Sequence, residues 1–248
     1  MIRKIRAHLD TAQIRWRGWQ HSRLGEFPVR VHPGDRGFWV DTYFDAWEPE
    51  TLERMKRTLG PGKSYCDIGA WVGPTVIYAA KLGADVTCFE PDPAAYERLL
   101  FNLRMNVPGR VKPFNLALGG RDGVRRLAPL AAVLGQSGSS LYAPTNKTES
   151  AQVPALSWSS ACRLLELPAF DTVKIDIEGG EAELLPDMMP WLRQHRPNLL
   201  LATHWDFVPA ERQPALEAAL GELSSIYRAP LDMDAVKTGY PSLFFERP

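Results

Sequence analysis

What this sequence lacks narrows the field before anything it contains. Cysteine is scarce: Cys66, Cys88 and Cys162 are the only three, far apart and in no metal-clasping spacing. Two of them fall in expected strands, which reads as buried thiols in a reducing compartment and not as a disulfide framework. No apolar run reaches the roughly 18 residues needed to span a bilayer. The N-terminus has no apolar signal-peptide core, so a soluble, cytoplasmic protein without a transmembrane segment is expected. Neither sign of charge is in excess. The 29 Lys and Arg balance 29 Asp and Glu, which argues against a surface built to hold nucleic acid. Internal repeats and low-complexity tracts are missing too, so a repeat architecture is excluded.

What is present suits one decorated α/β domain: 248 residues with 45% hydrophobic content can bury a core without staples. Residues 1–24 are locally basic, with Arg3, Lys4, Arg6, Arg15, Arg17 and Arg23 against Asp10 alone. Ile2, Ile5, Leu9, Trp16 and Trp19 recur at helical spacing. Such a helix either meets a membrane surface, an acidic partner or an anionic substrate, or packs on the domain or on a second copy in a homo-oligomer. Residues 27–32 and 38–40 read as a β-hairpin around Pro33-Gly34-Asp35-Arg36-Gly37. These first 46 residues form an expected extension to a main domain over 47–248.

A helix opens at Glu48-Pro49-Glu50 and runs through Leu59, stopped by Gly60-Pro61-Gly62. From residue 63 strands and helices alternate. Strands are expected over 63–68, 85–89, 111–118, 172–177, 198–203, 225–229 and 242–246. Helices are expected over 74–82, 93–106, 159–165, 180–195 with a break at Pro186, and 210–223. Residues 119–153 read as irregular or as short hairpin strands. This alternation implies a parallel sheet with helices on both faces.

Two strand-to-glycine turns carry the chemistry. In Asp67-Ile68-Gly69-Ala70-Trp71-Val72-Gly73 the glycines allow a sharp turn and close approach to a ligand. The spacing is not the G-x-G-x-x-G that seats a pyrophosphate, which counts against a nicotinamide-dependent dehydrogenase. Asp67 suits a ligand with a cationic end, such as the methionine moiety of S-adenosylmethionine. Glu90, followed by Pro91, ends the next strand about 20 residues on, the separation at which a carboxylate meets ribose hydroxyls. Asn115, Leu116 and Ala117 would edge the adenine. The second turn, Asp176-Ile177-Glu178-Gly179-Gly180-Glu181, delivers carboxylates to the same sheet edge, where open α/β sheets bind ligands.

Asp67-Ile68-Gly69-Ala70, Phe89-Glu90-Pro91 and above all Lys174-Ile175-Asp176-Ile177-Glu178-Gly179-Gly180-Glu181 resemble the FkbM family of S-adenosylmethionine-dependent methyltransferases. Ala117-Leu118-Gly119, Ser139-Ser140-Leu141 and His204 follow in the family's order, and the likeness runs from about Trp47 to about Trp205. The resemblance implies a Rossmann-like class I methyltransferase fold, a seven-stranded, mostly parallel sheet whose last strand is antiparallel. It also implies S-adenosylmethionine as cofactor, with Gly69, Ala70 and Gly73 on its methionine side, Glu90 on its ribose, and Asp176, Glu178 and Glu181 at the reaction side. Members are associated with O-methylation of hydroxyls on sugars, polyketides and other secondary metabolites, so a small molecule or glycan is the implied substrate. Trp71 departs from the family's usual Asn and bears on the mouth of the cofactor pocket.

Methyl transfer to oxygen requires alignment of donor and acceptor, and a base where the alcohol is poorly acidic. Asp176 and His204 stand at the ends of adjacent strands, so either is the expected base, with Glu178 and Glu181 orienting the substrate or the loop. Glu181 equally suits a helix first turn, where acidic residues are favourable. Lys174, inside an apolar strand, reads as the partner of a carboxylate. Asp176, Glu178 and His204 also make the ligand set for a divalent cation such as Mg²⁺, although a metal-free site is the favoured expectation. Alternatives to O-methylation are N-methylation, methylation of a macromolecule, and a non-catalytic cofactor-binding scaffold. The absence of Asn/Asp-Pro-Pro-Tyr weighs against base methylation.

Overall fold

The computed structural model describes residues 17–45, 47–130, 133–143, 149–239 and 242–247. The chain begins with a hairpin, β1 (Gln20–Leu24) and β2 (Phe27–Val31), paired so that Leu24 faces Phe27 across a two-residue turn. Most of the basic helix expected at the N-terminus, and with it any helix-mediated dimer, lies outside the described residues. The hairpin itself starts earlier than the sequence suggests. Phe38-Trp39-Val40, expected as its second strand, lies in helix α1 (Arg36–Tyr43), which turns Trp39 inward to full burial. Asn102 and Asn106 of a later helix fasten the hairpin: Asn102 Oδ1 accepts from His32 N–H, and Asn106 bonds both backbone groups of Arg30.

Helix α2 (Pro49–Thr58) leads into the alternating part. Strand β3 (Ser64–Ile68) is followed by α3 (Pro74–Leu82), which starts on a proline and stops at Gly83 in the left-handed region, as the proline-first, glycine-last asymmetry demands. Strand β4 (Asp85–Phe89) is followed by α4 (Pro93–Asn106), capped by the Asp92 carboxylate on the N–H groups of Ala94 and Ala95. Strand β5 (Val111–Phe114) then ends sooner than expected. Asn115 turns its amide onto the carbonyls of Glu90 and Pro91, and residues 117–119 leave as a separate strand β6 (Ala117–Gly119).

The segment expected to be irregular holds β7 (Gly123–Pro129), β8 (Ser139–Ser140) and β9 (Ala151–Ser157), which join β6 in a four-stranded sheet of order β6-β9-β7-β8. Helix α5 (Trp158–Leu164) leads to β10 (Thr172–Ile175), α6 (Glu181–His195), β11 (Asn198–Ala202), α7 (Gln213–Tyr227), α8 (Met233–Thr238) and β12 (Ser242–Phe245). Helix α6 does not break at Pro186. It carries both Pro186 and Pro190, because Leu184, Leu185, Met188, Met189 and Leu192 keep a buried face that outweighs the lost hydrogen bonds.

Among the described residues the main sheet has six strands, in the order β12-β11-β10-β3-β4-β5, parallel except for β12. A seventh strand was expected at 225–229, but those residues end α7. Leu216, Leu220, Leu223 and Tyr227 continue one buried helical stripe, and the Tyr227 hydroxyl donates to the Pro197 carbonyl. The two faces of the sheet bury different cores. Cys66, Ile68, Val173 and Ile175 pack with α6 and α7, whereas Tyr65, Val86 and Leu200 pack with α2, α3 and α4. The three cysteines are free thiols, with Cys66 and Cys88 buried. No described helix is long and apolar enough to cross a membrane.

Candidate active site

The β3–α3 turn and the end of β4 are built as one unit. Gly69 N–H and Ala70 N–H both donate to the Phe89 carbonyl, which draws the two strand ends together. Gly69 has φ +91°, and a Cβ there would collide with the backbone carbonyl of Asp176. The glycine is therefore required by the close pass of β10. Trp71 also sits in the left-handed region, at φ +48°. That conformation aims its N–H at Glu90 Oε2 (2.7 Å), while Asp92 N–H meets Oε1 (2.8 Å). Burial pushes the Glu90 carboxyl up to about 8, against the lowering effect of those two bonds.

Several of these residues line a cleft at the C-terminal edge of the sheet, the place where open α/β sheets bind ligands. Gly69, Trp71, Glu90, Pro91, Ala117 and Asp176 are on its wall, as is Glu178. Four other expected cofactor residues stand behind the wall. Asp67 is wholly buried, with Oδ2 accepting from Tyr65 (3.0 Å) and Thr75 (2.5 Å), and burial raises its pKa. It is the register partner of Lys174 and shares that residue's face of the sheet, whereas the next residue, Ile68, is on the cleft wall. Ala70 is buried in the turn, Gly73 is pressed against Leu99, and Asn115 braces the β4 end.

The cleft also has a roof that motif reading only touched. Residues 133–143 cross it, contributing Gln136, Ser137, Ser139 and Leu141. Trp71 Nε1 donates to the Gly135 carbonyl (2.9 Å), which the Arg98 guanidinium also contacts. Asp92 Oδ2 accepts from Gly135 N–H (2.6 Å) and Ser139 Oγ (2.7 Å), and Ser140 Oγ donates to the Glu178 carbonyl (2.6 Å). The surplus of Gly and Ser in this segment was the available signal. Its partners Asp92 and Arg98 had none.

At the far end of the cleft the β10 turn gathers four groups. Glu178 has φ +55° and Gly179 φ +95°, where a Cβ would press on the Phe207 carbonyl at 2.8 Å. Glu181, fully buried at the start of α6, accepts from Ile177 N–H (3.0 Å) and Gly179 N–H (2.9 Å) and faces His204 Nδ1 (3.1 Å). It shapes the turn and orients the imidazole, and does not itself line the cleft. His204 Nε2 lies 3.6 Å from Asp176 Oδ1 and 3.5 Å from Glu178 Oε2, and its ring stacks parallel to Phe207. Burial would lower its pKa, but Glu181, Glu178 and Asp176 together hold it up at about 9.

Asp176 Oδ2 accepts from Lys174 Nζ at 2.7 Å. Burial would raise the Asp176 carboxyl, yet Lys174 and His204 keep it below its ordinary value. Burial of Lys174 is likewise outweighed by Asp176, Asp67 and Glu48, so the ammonium stays charged inside the sheet. Glu178 is raised to about 7 by burial, with His204 opposing. The structure thus brings Asp176, Glu178, Glu181 and His204 together as expected, and joins Lys174 to them.

A glycine turn and a strand-end glutamate lie on one side of a sheet-edge cleft and carboxylates on the other, which is where α/β proteins with an open parallel sheet bind their ligands. The FkbM methyltransferase domain matches residues 67–227, more than half of the chain. The chain belongs to this methyltransferase family. Among solved structures it is similar to a methyltransferase FkbM from Methylobacillus flagellatus, with 18% identity, 74% of this chain and 46% of that one covered, and a TM-score of 0.46. It is also similar to a precorrin-6y C5,15-methyltransferase from Geobacter metallireducens, at 17% identity, 71% and 69% coverage and TM-score 0.40. A third is a tRNA (uracil-54, C5)-methyltransferase from Pyrococcus abyssi in complex with S-adenosyl-L-homocysteine, at 16% identity, 82% and 37% coverage and TM-score 0.42. The chain spans under half the length of the first and third. At these scores the likeness says nothing about the acceptor. No curated protein matches the sequence.

Proposed function

We propose that the protein transfers a methyl group from S-adenosylmethionine to a hydroxyl oxygen of a small molecule, a sugar or another secondary metabolite. The observation that carries this reading is a single cleft with Glu90 at one end and Asp176 with Glu178 at the other. Each Glu90 oxygen has taken one backbone N–H and keeps a lone pair for a ribose hydroxyl. Leu116, Leu118 and Leu141 give the flat apolar wall an adenine needs. In the transfer the acceptor oxygen bonds the methyl carbon as the carbon–sulfur bond breaks, leaving S-adenosylhomocysteine. The hydroxyl proton passes to a carboxylate on the cleft wall, Asp176 or Glu178. His204 is enclosed by carboxylates and locked by Glu181, which makes it a positioning residue for that pair.

Calorimetric titration of S-adenosylmethionine and S-adenosylhomocysteine, with NADH as control, tests the cofactor. Micromolar binding of the two sulfur compounds and none of NADH is expected. Glu90→Ala should weaken that binding at least tenfold, whereas Asp176→Asn should keep it and lower turnover with hydroxylated acceptors by about 10²-fold or more. Tight NADH binding, or full turnover in Asp176→Asn, would overturn the reading.

A further inference from the structure

We propose that Asp176, Glu178 and His204 form a binding site for a divalent cation, best matched to Mn²⁺, whose remaining coordination positions face the cleft. One donor atom from each residue lies within 4.8 Å of the other two. The closest approaches are 3.6 Å between His204 Nε2 and Asp176 Oδ1, and 3.5 Å between His204 Nε2 and Glu178 Oε2. Metal–nitrogen and metal–oxygen bonds of roughly 2.0–2.2 Å place neighbouring donors roughly 3–3.6 Å apart, a spacing that both histidine–carboxylate pairs already have. Two carboxylate oxygens with one imidazole nitrogen form a mixed oxygen and nitrogen set, which suits Mn²⁺ better than a purely oxygen-seeking ion.

The donors arrive from different parts of the fold. Asp176 follows β10, Glu178 sits on the left-handed turn beyond it, and His204 follows β11. What sets the histidine apart from one packed incidentally is the group behind it. Glu181, fully buried, faces Nδ1 at 3.1 Å, which keeps a proton on Nδ1 and turns Nε2 toward Asp176 and Glu178, so that binding an ion displaces only the Nε2 proton. A buried carboxylate behind a forward-facing imidazole nitrogen is the support that metal-ligating histidines use. Lys174 occupies only Oδ2 of Asp176, leaving Oδ1 toward His204. Two of the three ligands, Asp176 and Glu178, are on the cleft wall, so the open side of the ion faces the acceptor.

This narrows the substrate class, and that narrowing rests on the methyl-transfer reading; the cation site does not. An ion with adjacent open positions selects acceptors carrying two neighbouring oxygens, such as a vicinal diol or an α-hydroxy carbonyl compound. An ion held there would bind the hydroxyl and lower its pKa, easing passage of its proton to the Glu178 carboxylate oxygen that does not hold the ion. Ordinary alcohols with a single oxygen would be poor acceptors.

The test uses the full chain after chelator treatment, without S-adenosylmethionine. Mn²⁺ is titrated by calorimetry and by loss of its free-ion electron paramagnetic resonance signal. One Mn²⁺ per chain is expected, with affinity lowered about tenfold or more in Glu178→Gln and in His204→Gln, and by about tenfold in the supporting variant Glu181→Gln. Near-ultraviolet circular dichroism checks that each variant is folded, and the comparison is made among those that are. Absence of saturable Mn²⁺ binding in the unaltered chain, or equal affinity in the folded Glu178 and His204 variants, overturns the proposal. Mn²⁺ binding without cofactor binding would sink the methyl-transfer reading and leave the cation site standing; cofactor binding without Mn²⁺ would do the reverse.

Discussion

Both oxygens of Glu90 already hold backbone N–H groups, from Trp71 and Asp92, and burial still pushes its carboxyl up to about 8. Near neutral pH much of it is therefore protonated in the free protein. Two ribose hydroxyls donating to it would require the ionised form, so cofactor binding should expel a proton. Affinity for S-adenosylhomocysteine should then rise as pH climbs from 6 toward 8 and level off above it. Calorimetry in buffers of differing ionisation heat would read the released proton, and an affinity that is flat or falls over that range would refute the assignment. The same raised pKa makes the opposite demand on the empty protein. A carboxyl that holds its proton more tightly folded than unfolded gives stability that is full below about 4.5 and lost as pH rises through about 8. Glu90→Gln should flatten that decline in Tm. Gly69 makes a different point about reading residues. Its motif is legible in the sequence and reads as room for a ligand. The closest claim on that room is the Asp176 carbonyl, a partner about a hundred positions away that no local pattern displays. Gly69→Ala, strained in φ and in contact, should cost roughly 2–4 kcal/mol in urea denaturation.

Elements were most readable where a cap is written into the chain. Strand β4 and helix α4 fall where the sequence puts them because Asp92, Pro93 and the β-branched and aromatic residues of 86–89 each act locally. Local signals misled where a distant contact outbid them. Residues 225–229 carry strand-like composition, yet the stripe through Leu216 and Leu223 holds them in α7. Pro186 signals a break, yet the buried face of α6 carries the helix past it. The roof over residues 133–143 is the extreme case. Its order depends on Trp71, Asp92, Arg98 and the Glu178 carbonyl, none of which is a neighbour in sequence. Trp71 thus has a use that its departure from the family's usual Asn did not reveal. Trp71→Phe keeps an aromatic ring beside Phe38 and deletes the Nε1 bond to Gly135. One neutral hydrogen bond is worth about 1 kcal/mol, so stopped-flow release of S-adenosylhomocysteine should speed up about fivefold. An unchanged release rate would mean that the roof is held shut without the indole.

Across the whole molecule, the two central strands of the six-stranded sheet are joined by charge as well as by apolar cores. Lys174 is buried between Asp67, its register partner on β3, and Asp176, beyond the end of its own strand. The sequence made a carboxylate partner foreseeable, because an ammonium inside an apolar strand requires one. It could not show that two would share it, since that depends on which strand lies beside β10. Removing one member of a buried ionic group costs more than the group's net worth, because the remaining charges stay desolvated and unpaired. Lys174→Met should therefore destabilise the protein by about 3–5 kcal/mol in urea denaturation. The shared arrangement makes a sharper demand. Asp67→Asn keeps the hydrogen bonds from Tyr65 and Thr75 on an amide oxygen but removes the charge, so in the unaltered chain it costs part of the pairing with Lys174. In the Lys174→Met background that pairing is already gone, and neutralising Asp67 relieves an unpaired buried carboxylate. The double variant should then be more stable than the sum of the two single losses predicts, by about 1–3 kcal/mol. Additive losses would show that Asp67 and Lys174 do not feel each other, and that each strand end is held by its own local bonds.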